Sequence, residues 1–138
     1  MMRWRSLTLA AALLVSLCGC GGDSPATPSS AQRQLLTQGS GEVAPVSSGM
    51  LLFPLQLGSS AALEATVDWT NASTLIALAW GQGDCTRNVH CDLFAQNSGT
   101  AKPKTLTTAA LAAGTYTLAI LNFGTATEPV SYQIFLVR

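Results

Sequence analysis

Leu63-Glu64-Ala65-Thr66-Val67-Asp68-Trp69, followed by Thr70-Asn71-Ala72-Ser73 and then Thr74-Leu75-Ile76-Ala77-Leu78-Ala79-Trp80, decides the fold class. In the first part Leu63, Ala65, Val67 and Trp69 alternate with Glu64, Thr66 and Asp68. A period of two puts the apolar side chains on one face, which predicts a half-buried strand with a polar outer face. Thr70 to Ser73 is turn chemistry, because short polar side chains bond to their own backbone. Thr74 to Trp80 is apolar on both faces and predicts a central strand.

Working outward, the same kind of pattern recurs. Met50 to Leu57 is a β-type run, and Pro54 within it predicts an edge or a bulge. Cys91 to Gln96 reads as a strand with Leu93 and Phe94 on opposite faces. Pro103 to Thr108 is a weaker one. Thr115 to Asn122 sets Tyr116, Leu118 and Ile120 against Thr117, Ala119 and Leu121. Val130 to Val137 repeats this with Val130, Tyr132, Ile134 and Leu136. About seven or eight strands in roughly a hundred residues is the spacing of an all-β sandwich. The competing helical run, Thr108 to Ala113, is stopped by Gly114 after little more than a turn. Without βαβ alternation, α/β folds are unsupported. The expectation is an antiparallel, jelly-roll-like β-sandwich over residues 43–138.

The N-terminal part is different in kind. Arg3 and Arg5 precede an apolar run from Leu7 to Leu17, about half of what a membrane-spanning helix needs. The run ends in small residues, as a signal peptide does. Leu17-Cys18-Gly19-Cys20 resembles the bacterial lipobox. That resemblance implies a signal peptide over 1–19, with Cys20 as the lipidated N-terminus, carrying a diacylglycerol and usually an acyl chain such as palmitate. Two or more chains anchor stably, whereas one does not. Gly21 at the next position implies the outer membrane if the host is Gram-negative. Residues 20–42 are rich in Gly, Ser, Pro, Thr and Gln, the composition of a flexible tether. The expected localisation is the bacterial cell envelope, membrane-anchored through the lipid on Cys20.

From Cys20 onward five basic side chains face seven acidic ones, a formal charge of −2. No basic patch is visible, so nucleic acid is not an expected partner. With Cys20 assigned to lipid, Cys85 and Cys91 remain as an even pair. In an exported protein such a pair reads as a disulfide. A metal or redox site built on Asp84, His90, Cys91 and Asp92 is the alternative. Zinc spacing and a second ligand pair are missing, however, and so is Cys-x-x-Cys. No metal and no cofactor are implied. The loop between the cysteines makes Arg87, Asn88 and His90 candidate contact residues.

Enzyme chemistry finds little support in the residues. His90 is the lone histidine, and no Gly-x-Ser-x-Gly element accompanies it. Glu64 and Asp68 share a strand face about 13 Å apart along the strand, too far for a usual glycosidase pair. Trp69 and Trp80 are candidate sugar-stacking residues. Trp69 shares the apolar face of its strand, which favours core packing, and the side of Trp80 is open.

Leu111-Ala112-Ala113-Gly114-Thr115-Tyr116-Thr117-Leu118-Ala119-Ile120 and Tyr132-Gln133-Ile134-Phe135-Leu136 resemble the closing hairpin of bacterial pre-peptidase C-terminal-type domains. On this resemblance Leu63 to Trp69 and Thr74 to Trp80 match the two middle strands. It implies a non-catalytic accessory domain that binds or targets. The chain departs from the family at Trp80-Gly81-Gln82-Gly83-Asp84-Cys85, where the family carries an Asp-rich stretch, so no calcium site carries over. The expected function is a lipid-anchored, non-enzymatic binding or surface module, its partner an envelope protein or a glycan. A carbohydrate-binding accessory domain is one alternative. An inhibitor of an exported enzyme, or a small exported enzyme, is the other.

Overall fold

The computed structural model describes residues 31–87 and 91–138. The expected signal peptide, the expected lipidation site Cys20, and the candidate contact residues Asn88 and His90 lie outside the described residues. Eight strands follow one another: β1 (Arg33–Val43), β2 (Leu51–Leu57), β3 (Ala62–Trp69), β4 (Ile76–Gln82), β5 (Asp92–Asn97), β6 (Lys104–Thr107), β7 (Gly114–Asn122) and β8 (Glu128–Val137). They form two four-stranded sheets, β1-β8-β3-β6 and β2-β7-β4-β5, with every pairing antiparallel. The pairs β1·β8, β2·β7, β3·β6 and β4·β5 describe one long hairpin whose tip is the β4–β5 loop. It is rolled up so that β3 meets β8 and β4 meets β7, the jelly-roll arrangement.

The expected alternation now has a physical partner. Leu63, Ala65, Val67 and Trp69 of β3 face inward beside Val130, Ile134 and Leu136 of β8. Ile76, Leu78 and Trp80 of β4 and Leu118 and Ile120 of β7 meet them from the second sheet. Each of the Val, Leu and Ile side chains stabilises by about 1.5–3 kcal/mol when fully buried. The indole N–H of Trp80 reaches across the sandwich to the Leu106 carbonyl at 3.5 Å. The two-sided apolar pattern of β4 fits its place between β7 and β5. Its outward side chains, Ala77 and Ala79, are small and buried as well. Pro54 lies in β2, which pairs only with β7, so its missing N–H costs no ladder bond on a second neighbour.

Two expectations are corrected. The tether does not extend over 20–42, because residues 33–43 form β1, paired with β8 along its length. Its glycines are strand glycines that admit large neighbours. A Cβ on Gly39 would lie 2.8 Å from the Tyr132 hydroxyl and 3.0 Å from the ring carbon bearing it. One on Gly41 would meet Leu51 at 3.4 Å. Gly in a strand interior often marks such a close approach. A register shift between Leu35 and Thr37 also breaks the period of two, so no alternation shows in the sequence. The second correction concerns the closing hairpin. β7 and β8 do not pair: β7 lies between β2 and β4, β8 between β1 and β3. Asn122, fully buried, organises this crossing. Its amide donates to the carbonyls of Val43 (2.9 Å) and Ala126 (2.8 Å) and accepts from Gly124 N–H (2.7 Å).

Candidate functional site

The outer face of β1-β8-β3-β6 carries the polar half of each alternating pattern. Register places these residues in rows across the sheet. One row runs Gln38, Gln133, Thr66, Thr105, and the next runs Ser40, Ser131, Asp68. Neighbours within the first row pair with each other: Gln133 donates to Gln38 at 3.3 Å, and the Thr66 and Thr105 hydroxyls are 3.1 Å apart. All of these except Thr105, which continues the first row beyond the edge, line an open trough of about 600 Å³ with Pro103 on its wall. That volume lies within the range of small-molecule sites, about 300–1,000 Å³.

Charge on this face is mostly tied up in pairs. Lys102 binds Asp68 at 2.8 Å, and Arg33 pairs with Glu64 while lying 4.0 Å above the Phe135 ring. The Lys102 ammonium, with help from the Trp69 backbone N–H at 2.9 Å, holds Asp68 below the usual carboxylate range. Glu42 is the further carboxylate, at the far end beside Pro129.

The opposite sheet carries the disulfide loop. Cys85 and Cys91 are bonded, with Cα atoms 5.3 Å apart. The bond sits on Gly81, where a Cβ would come within 2.8 Å of the Cys85 sulfur and still closer to that of Cys91. Thr117 fixes the loop base: its hydroxyl donates to the Gly83 carbonyl at 2.7 Å and accepts from Cys85 N–H at 3.1 Å. Asp84 accepts from the hydroxyl and N–H of Thr86, which holds its carboxyl below the ordinary value. With both sulfurs in the bond, neither cysteine is a thiolate available to ligate a metal. Beside the loop an apolar groove of about 360 Å³ runs between Met50, Leu52, Leu93 and Leu121.

No family model matches the chain, and neither does any curated protein. Among solved structures the chain is similar to the crystal structure of Yersinia pseudotuberculosis-derived mitogen. The TM-score is 0.54 at 14% identity, covering 75% of this chain and 85% of that one. The likeness is one of fold.

The structure separates the residues singled out in the sequence. Trp69 and Trp80 are corrected as contact residues, because both are buried, at 4% and 0% exposure. Trp69 lies under two ammonium groups, those of Lys102 and Lys104, each 5.7 Å from its ring centre. Lys104 is itself buried and donates to the Ile76 and Gly99 carbonyls, and burial pushes its pKa down. Arg87 is exposed on the loop and ion-paired to Asp84 at 3.3 Å. It lies at the tip of the long hairpin, remote in register from the polar rows. The trough residues Gln38, Ser40, Ser131 and Gln133 were not singled out in the sequence. Their only signal is being the polar partners in a period-two pattern, and in β1 that pattern is broken.

Proposed function

We propose that this protein is a lipid-anchored surface module of a bacterial envelope that works by non-covalent recognition, without catalysis. The observation that carries the recognition half is the trough: an exposed, register-ordered face of hydroxyls and amides whose main charges are already paired. Leu17-Cys18-Gly19-Cys20 supports the anchor, which would ride on Cys20. The Cys85–Cys91 bond supports an oxidising compartment and leaves Cys20 outside that pair. With β1 starting at Arg33, the tether would be residues 20–32.

Two measurements test this. Cys20→Ala should release the protein from membranes and abolish incorporation of labelled palmitate. Continued labelling of that variant would rule out the anchor at Cys20. A photo-crosslinking residue placed at Ser131 in cells should give envelope adducts that one at Met50, on the opposite sheet, does not. Adducts from Met50 alone would move recognition off the trough.

A further inference from the structure

The trough has a repeat that suggests what fits it. We infer that it takes a neutral oligosaccharide laid across the strands, an inference that rests on the recognition surface proposed above. Neighbouring strands are about 4.8 Å apart, close to the length of one pyranose residue in an extended glycan. The row Gln38, Gln133, Thr66, Thr105 crosses all four strands of the sheet. It therefore presents one polar side chain per sugar over a span of about 14 Å. Along the strands the second row, Ser40, Ser131 and Asp68, lies about 7 Å away, within reach of hydroxyls on the other edge of the same rings.

The chemistry matches as well as the spacing. An amide offers two donors and a carbonyl acceptor, and a hydroxyl is both donor and acceptor. Each Gln and Thr in the first row uses one of these on its neighbour, which fixes its orientation and leaves the rest for a ligand. A sugar hydroxyl is the same kind of group, donor and acceptor together. Charge complementarity points the same way. The cations on this face, Arg33 and Lys102, are held by Glu64 and Asp68. Glu42 adds a negative charge, so an anionic glycan would meet repulsion in place of a free cation.

The test uses full-length protein in mild detergent, probed with neutral hexose and N-acetylhexosamine oligomers of increasing length and with their sulfated and sialylated counterparts. Neutral oligomers should bind, with affinity rising until the chain spans the four strands and then levelling off. Gln38→Ala with Gln133→Ala, both on exposed side chains, should weaken binding about tenfold. Met50→Ser on the opposite sheet should leave it unchanged. Preference for the sulfated or sialylated forms, equal binding by the double variant, or no binding to any oligomer each overturns the inference. If glycans fail while crosslinks from Ser131 persist, the glycan is wrong and the recognition surface stands. If both fail, the trough is not the working face.

Discussion

Gly39 separates a strand from a tether more sharply than any other single position. In a flexible linker, Gly→Ala narrows the unfolded ensemble and is neutral or stabilising by up to about 1 kcal/mol. In β1 the new methyl would stand 2.8 Å from the Tyr132 hydroxyl and 3.2 Å from a ring carbon. The ring has little room to give, because Tyr132 also packs on Phe53 with centroids 4.1 Å apart. Overpacking of this kind costs about 1–3 kcal/mol, and the unfolded-state gain offsets part of it. Gly39→Ala should therefore destabilise by about 1–2 kcal/mol, or lower the melting temperature by roughly 4–8 °C for a domain of this size. Urea and thermal melts followed by circular dichroism measure both. Pairing it with Tyr132→Leu gives a double-mutant cycle, in which the penalty should vanish. A melting temperature at or above wild type for Gly39→Ala alone would return residues 33–42 to the tether.

Asn122→Ala removes two donors and an acceptor from backbone partners, the bond to Val43 buried and those to Ala126 and Gly124 partly buried. Its cost should be about 2–4 kcal/mol, and a urea midpoint within error of wild type would show that the crossing is held by something else. Reducing Cys85–Cys91 should lower stability by about 2 kcal/mol, the loop-closure entropy of a short ring, read as the difference between melts with and without dithiothreitol. Gly81→Ala should be markedly more harmful in the oxidised protein than in the reduced one, because the sulfurs occupy the space its methyl needs. The same pair of melts tests it. Folding lowers the pKa of Asp68, so its contribution is complete above the unfolded carboxylate value near 3.9 and is lost as pH falls through the lower folded value. Its side chain is 51% exposed, so Asp68→Asn should cost under about 1 kcal/mol near neutral pH. The gap to wild type should close in strong acid, and a gap that widened there would reverse the sign of the Lys102 pairing.

Most strands were legible in the sequence because they are local facts. The alternation of Leu63 to Trp69, the two-sided run ending at Trp80 and the inward set Val130, Tyr132, Ile134 and Leu136 each follow from a period of two. Pro54 marked its strand as an edge or a bulge, and the strand is an edge. A disulfide between Cys85 and Cys91 was legible too, because spacing and parity suffice for a pair this close. What stayed hidden depends on partners far away along the chain. β1 looks like a linker because Gly39 and Gly41 are explained only by Tyr132 and Leu51 lying over them. The crossing of β7 and β8 into different sheets was equally invisible, since a short connection fits a hairpin as well as a change of sheet. The burial of Trp80 needed the second sheet.

The candidate site divides the same way. The sequence by itself determined that Thr66, Asp68, Ser131 and Gln133 would be the polar sides of their strands. Only the tertiary structure decided that they lie next to one another and next to Gln38 and Ser40. The register of β1 on β8 and of β8 on β3 brings these trough residues side by side from 63 to 95 positions apart along the chain. Hydrophobic period fixes which way a side chain points, but not which strand lies beside it. That choice belongs to the packing of two sheets against one core.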